Sequence, residues 1–220
     1  EIVDYVKLAE DVNIDGFLKP NRINETLTIL KGYKKLAESY KVEEYLVVAG
    51  YAVREAKNQK SFMDEVASQI GLKVKLLTEQ EEVNGVYTAC INTLDVPKAL
   101  LIDIEAESTV LAVYVRRNVL YEKIFPFGAN TLTKLFEGED VLKQNEQIYN
   151  HLLKSLKEIQ ELELIEPEFQ IVGAGNAFES FAKLVRGVKK YPLDLNHGLV
   201  STKKDIETVF NFIKGLDISK

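Results

Sequence analysis

Ala99-Leu-Leu-Ile-Asp-Ile-Glu-Ala-Glu-Ser-Thr-Val-Leu-Ala-Val-Tyr-Val115 decides how this chain is read. An apolar run ends in Asp103, the chain turns, and a β-branched run restarts at Ser108-Thr109. That order is the frame of a phosphate-binding β-hairpin, in which glycines normally let backbone N–H groups converge on an anion. Here the turn holds Glu105, Ala106 and Glu107 instead. The frame is present, and its anion-receiving middle is replaced by carboxylates.

Outward from this hairpin, strands and helices alternate. Upstream, Glu1 to Leu8 reads as a strand leading to a Gly16 turn, and Pro20 opens a long helix with Ile23, Leu27, Leu30, Leu36, Ala37 and Tyr40 on one stripe. Tyr45 to Val48 is a short buried strand. Asn58 caps a helix with an apolar face of Phe62, Val66 and Ile70, closed by Gly71. A strand from Val74 to Thr78 and a helix from about Glu79 to Leu94 complete a β-α-β-α-β-α half.

Asp95-Val-Pro97 marks a boundary. Beyond it come strands near 99–104, 108–117 and 119–127, with Arg117-Asn118 as the last turn, then helices near 129–136 and 142–163. The strand 169–172, a helix near 176–188 and a helix capped by Ser201 with Asp205 follow, giving β-β-β-α-α-β-α-α. Two copies of one plan predict an α/β fold with a mixed sheet in each half, divided as 1–96 and 97–220.

Composition narrows the function. The 220 residues are 46% hydrophobic and 28% charged, as in an ordinary globular protein. The net charge of −6 and the lack of a basic, aromatic-laced stripe argue against nucleic-acid binding. No apolar run approaches the ~20 residues of a membrane span, and no signal peptide is visible. One cysteine excludes an internal disulfide and fits the cytoplasm; one cysteine and two histidines make a zinc site improbable.

Lys7-Leu-Ala-Glu10, Gly16, the 20–40 helix, Val53-Arg-Glu-Ala56 with Asn58, Gly71, Glu81-Glu82, Asp103 with Ser108-Thr109, and Pro126-Phe-Gly-Ala129 occur together in one order and spacing. In this the chain resembles the exopolyphosphatase/guanosine pentaphosphate phosphohydrolase (Ppx/GppA) family of the actin/sugar kinase/Hsp70 superfamily, over nearly its whole length. The resemblance implies two ribonuclease-H-like lobes around a cleft. It also implies that the opening strand of the first lobe and the end of the second lie outside the chain as given. The activity implied is hydrolysis of terminal phosphoanhydride bonds of polyphosphate or guanosine pentaphosphate, with Mg2+ and a cytoplasmic, homodimeric protein as further expectations.

The same resemblance assigns roles. Glu82 is the carboxylate that orients or deprotonates the attacking water; without it, Glu79, Glu81 and Glu82 read as the acidic first turn of a helix. Clustered in that turn, the three would raise one another's pKa. Arg54 is the phosphate-binding guanidinium, its bland alternative being a salt bridge to Glu55 or another surface acid. Asp103 holds Mg2+, and Ser108 and Thr109 are the hydroxyl residues after the turn. Gly173, Gly175 and Asn176 line the opposite side, where a helix N-terminus offers N–H groups to phosphate; tight strand–helix packing explains the same glycines without a ligand. His197 before Gly198 is read as structural.

The family carries Gly-Gly-Gly where Glu105-Ala106-Glu107 stands, and Glu where Val110 stands. Two extra carboxylates at about 4–6 Å would each oppose a phosphate by several kcal/mol at an effective dielectric near 20. Because Asp103, Glu105 and Glu107 alternate, an extended backbone would put all three on one face, where they would hold Mg2+ or Ca2+. Three functions therefore compete: a phosphohydrolase of low or lost activity, a catalytically inactive phosphate- or nucleotide-binding regulatory relative, and a structural partner without ligand.

Overall fold

The computed structural model describes residues 2–8, 12–136, 141–161, 168–192 and 195–214. The chain forms two compact units. The first comprises Glu1–Gly85, Ala106–Ser108 and Ile124–Ile148; the second Val86–Glu105, Thr109–Lys123 and Tyr149–Lys220.

In the first unit, a short turn of helix α1 (Val12–Asp15) precedes α2 (Pro20–Ser39), with Pro20 at the first helical position as its fixed φ favours. Strand β1 (Val47–Ala49), helices α3 (Tyr51–Arg54) and α4 (Gln59–Ile70), and strand β2 (Val74–Leu76) form a crossover. It pairs β1 with β2 in parallel, Val47 opposite Val74 and Ala49 opposite Leu76. Ile23, Leu27, Val53, Ala56, Phe62, Val66 and Ile70 close the core, with Leu30, Val47 and Val74 packed against it. Gly71 ends α4 at φ +73, a left-handed cap that a side chain would strain.

Four expectations for this unit need correction. The short buried strand expected at Tyr45 to Val48 is β1, Val47–Ala49, and Leu46 and Val48 are exposed. Residues 2–8 form no strand; Ile2, Val3 and Tyr5 are exposed, and alternating apolar residues make a strand only where a neighbour takes up their backbone groups. The α2 stripe is buried only in its first half, since Leu36 and Tyr40 are exposed. The reason is length: α2 has 20 residues and its neighbour α4 has 12, and Lys34 Nζ already donates to the last carbonyl of α4, at Ile70. Asn58 does sit at the N-cap of α4, but its side chain serves another segment. Its Oδ1 accepts the Leu18 N–H and its Nδ2 donates to the Leu18 carbonyl, both at 2.9 Å.

Helix α5 (Glu79–Thr93) begins in the first unit and ends in the second. There β3 (Lys98–Ile104), β4 (Thr109–Val115), β5 (Asn118–Phe125) and, after α6 (Ala129–Leu135) and α7 (Val141–Glu161), β6 (Gln170–Ala174) make one mixed sheet in the order β5-β4-β3-β6. Asp103 pairs with Val110 in the antiparallel β3–β4 ladder and with Ala174 in the parallel β3–β6 ladder. Helices α8 (Gly175–Lys189) and α9 (Lys203–Lys214) follow. The element order of this half is the one expected.

Two details shift by a residue. The β4–β5 turn is Arg116-Arg117, with Arg116 at φ +55, and Asn118 already belongs to β5. Helix α9 is capped by Thr202 rather than Ser201. The Thr202 hydroxyl accepts the Asp205 N–H at 3.3 Å, and the Asp205 carboxylate accepts the Thr202 N–H at 2.7 Å.

Candidate functional site

Strand β1 delivers the chain to Gly50, where it turns into α3 and carries Arg54 to that helix's end. The Arg54 side chain is 17% exposed. Its Nη1 donates to Glu82 Oε2 at 2.7 Å and to the Leu77 carbonyl at 2.9 Å, and its Nε lies 3.5 Å from Glu55 Oε1. The Tyr51 ring lies beneath it, 5.7 Å from centroid to guanidinium carbon. Glu82 comes from the first turn of α5. A Cβ on Gly50 would stand 3.0 Å from Glu82 Oε1, so the missing side chain of Gly50 makes the carboxylate's seat. Arg54 thus pairs loosely with Glu55, the foreseen alternative, and closely with Glu82, foreseen separately as the catalytic carboxylate.

The three glutamates of α5 have three separate tasks. Glu79 Oε1 accepts the Ile124 N–H at 3.1 Å. Glu81 forms a capping box with Thr78, accepting its N–H at 3.0 Å while the Thr78 hydroxyl accepts the Glu81 N–H at 3.2 Å. The Lys75 ammonium, followed by the Thr78 N–H, holds the Glu81 carboxyl below its usual range. Mutual repulsion was expected to raise it, and the direction is the opposite because Glu81 has its own cation and donor. Burial, then Glu55, pushes the Tyr51 phenol up; Arg54 opposes this, and Glu107 and Glu79 add to it.

The altered turn departs from an extended path at Ala106 and Glu107. The Asn130 N–H donates to the Ala106 carbonyl at 2.8 Å, and Asn130 Nδ2 reaches Glu107 Oε1 at 3.4 Å, so the turn is tied to the start of α6. Glu107, Ser108 and Thr109 are buried, whereas Glu105 and Ala106 are exposed. Asp103, also buried, and Glu105 lie instead against Gly175, the first residue of α8, at φ +78. A Cβ there would be 2.0 Å from Asp103 Oδ1 and 3.1 Å from Glu105 Oε1. The bend therefore overturns the one-face arrangement of Asp103, Glu105 and Glu107, and no group of three His, Cys, Asp or Glu that could hold a metal occurs among the described residues.

Gly173 and Gly175 serve different neighbours. A Cβ on Gly173 would meet the Phe178 ring at 2.0 Å, so its space is taken by an aromatic side chain of α8. Asn176 is exposed in the first turn of that helix, and Val110 is buried opposite Asp103. Asp103, an oxygen donor at the end of β3, suits Mg2+ in kind, since that ion asks one or two carboxylates of a protein and completes its shell from water and phosphate.

Gly50, Tyr51 and Asn130 went unforeseen as parts of this arrangement. The Thr78-Glu-Gln-Glu81 box was visible as a helix-start signature. Nothing in the one-dimensional pattern marks Phe178 as the cover of Gly173.

Known proteins give this geometry a class. The chain matches the Ppx/GppA phosphatase family over residues 1–218 and belongs to that family. The Aquifex aeolicus member of the family has 30% identity and a TM-score of 0.75, the match covering 98% of this chain and 71% of that one. An exopolyphosphatase from Cytophaga hutchinsonii gives a TM-score of 0.85 at 15% identity, covering 96% of this chain and 71% of its own, which is a likeness of fold. The bifunctional 3-dehydroquinate synthase/phosphatase of Fusobacterium nucleatum subsp. nucleatum is 23% identical over 232 residues. This chain is 98% covered by that match and spans 34% of that relative's length. The fold is accordingly the mixed α/β fold of the solved family members. No helix among the described residues is long and apolar enough to cross a membrane.

Proposed function

We propose that this chain is a Ppx/GppA-like phosphohydrolase that cleaves terminal phosphoanhydride bonds of polyphosphate or guanosine pentaphosphate, at a low rate. The observation that carries the reading is the Arg54–Glu82 pair at 2.7 Å, seated over Gly50. In this reading Glu82 takes a proton from a water as its oxygen attacks the terminal phosphorus, and the bridging P–O bond breaks to leave inorganic phosphate and the shortened chain. Arg54 holds Glu82 in line through a charge-assisted hydrogen bond and faces its positive charge toward the phosphoryl oxygens. In the same reading Ser108, Thr109 and the first-turn N–H groups at Gly175 and Asn176 are phosphate ligands, with Gly173 keeping β6 close to α8. Asp103 would hold Mg2+, which when bound neutralises charge on the phosphate oxygens. The finer architecture of two ribonuclease-H-like lobes and residence in the cytoplasm belong to the same proposal, supported by family membership.

A catalytically inactive phosphate-binding or regulatory relative is the second reading, favoured by the Glu105 carboxylate beside Gly175. Phosphate release from polyphosphate and guanosine pentaphosphate with Mg2+ separates the two. The hydrolase reading expects release that falls about 100-fold or more in Glu82→Gln. Release unchanged by that substitution removes Glu82 from the chemistry. Inert protein that still gives a calorimetric binding signal with the same ligands selects the second reading.

A further inference from the structure

The first turn of α8 lacks the usual anionic complement of its own. Its N-cap is Ala174, without a side-chain cap, and no acidic residue lies in its first turn. Helix N-termini carry unpaired N–H groups and the positive end of the macrodipole, so a negative group is favoured there. Two come from elsewhere in the chain: Asp103 Oδ1 and Glu105 Oε1 lie 2.0 Å and 3.1 Å from where a Gly175 Cβ would be. Asp103 is buried, whereas Glu105 is exposed. Glu107, two residues on, goes to the other compact unit and contacts Asn130.

We propose that Glu105 is a built-in anion. Its carboxylate stands at the first turn of α8 where a phosphoryl group would stand, and it sets the phosphate affinity of this half of the site. Phosphate must displace Glu105 or tolerate its charge; Glu107 takes no part. The inference rests on the phosphate reading of Gly175 and Asn176 given above and assigns the weakening to one of the two glutamates in the turn.

Calorimetric titration of tripolyphosphate into the full chain and into Glu105→Gln, Glu105→Gly and Glu107→Gln, with and without Mg2+, tests it. Glu105→Gln should bind about tenfold tighter than the parent, the effect of removing one exposed like charge, and Glu105→Gly at least as tightly. Glu107→Gln should bind as the parent does. Without ligand, Glu105→Gln should melt about 1–3 °C lower, because α8 loses a favourable charge. Weaker binding of Glu105→Gln in Mg2+ would make Glu105 a metal ligand and overturn the inference. Unchanged affinity in both Glu105 variants, with binding by the parent, overturns it and leaves the phosphate reading standing. Absence of binding in the parent and every variant overturns both.

Discussion

Arg54→Met removes the guanidinium of the Arg54–Glu82 pair and keeps most of its apolar stem, so the loss falls on hydrogen bonds. Two are lost from Nη1: 2.7 Å to Glu82 and 2.9 Å to the Leu77 carbonyl. A hydrogen bond to a charged group contributes about 1.5–3 kcal/mol and a neutral one about 1 kcal/mol. The two side chains are 17% and 18% exposed, so water recovers part of the first contribution. Arg54→Met should therefore destabilise by about 2–3 kcal/mol. Glu82→Gln, which keeps an acceptor and loses the charge, should cost about 1 kcal/mol. The Leu77 bond is lost equally in either background, so it cancels in the double-mutant cycle, leaving a coupling of about 1–2 kcal/mol. Urea unfolding of the four proteins at pH 7, followed by circular dichroism with m-values compared, gives the cycle directly. A coupling below about 0.5 kcal/mol would place the pair among surface ion pairs of little consequence and refute the reasoning.

Gly50→Ala tests the seat of the carboxylate without straining the backbone, since φ −101 and ψ −151 suit alanine. The new Cβ, 3.0 Å from Glu82 Oε1, should move the carboxylate by a few tenths of an ångström. Stability should change by less than about 1 kcal/mol, while phosphate release falls about tenfold or more; unchanged release would detach Glu82 from the reaction. Asp205 gives a pH test. Lys189, then the Thr202 N–H and hydroxyl, lower its carboxyl to about 2. A lowered folded-state value stabilises above the ordinary aspartate value and is lost as pH falls through the folded one. Asp205→Asn should thus melt below the parent at pH 7, the gap narrowing below about pH 4 and closing near pH 2. A gap independent of pH would mean that the carboxylate charge is not what stabilises α9.

The second half was legible because its strands are bounded by strong local signals. Pro97, the charged Arg116-Arg117 turn and the Gly-containing junction at 173–175 punctuate β-branched runs that have no competing helical period. Residues 2–8 show where such signals fail: Ile2, Val3, Tyr5 and Val6 satisfy composition, but strand formation depends on a neighbour that composition does not name. In the candidate site, Arg54 and Glu82 were singled out separately; their union depends on a 28-residue separation closing in space. The acidic turn was legible as an alteration of charge. Its division was not: bends at Ala106 and Glu107 send Glu105 toward Gly175 and bury Glu107 by Asn130, whereas alternation assumes an extended chain.

The double bond between Asn58 and Leu18 has a consequence for the chemical ageing of the protein. Its amide meets a carbonyl with Nδ2 and an N–H with Oδ1, both at 2.9 Å, so it needs one donor and one acceptor. Deamidation would turn the donor into a second carboxylate oxygen facing the Leu18 carbonyl. One hydrogen bond would be lost and two oxygens set against each other, in a core where Leu18 is 1% exposed. A stored sample would then lose the latch that joins the entry of α2 to the start of α4.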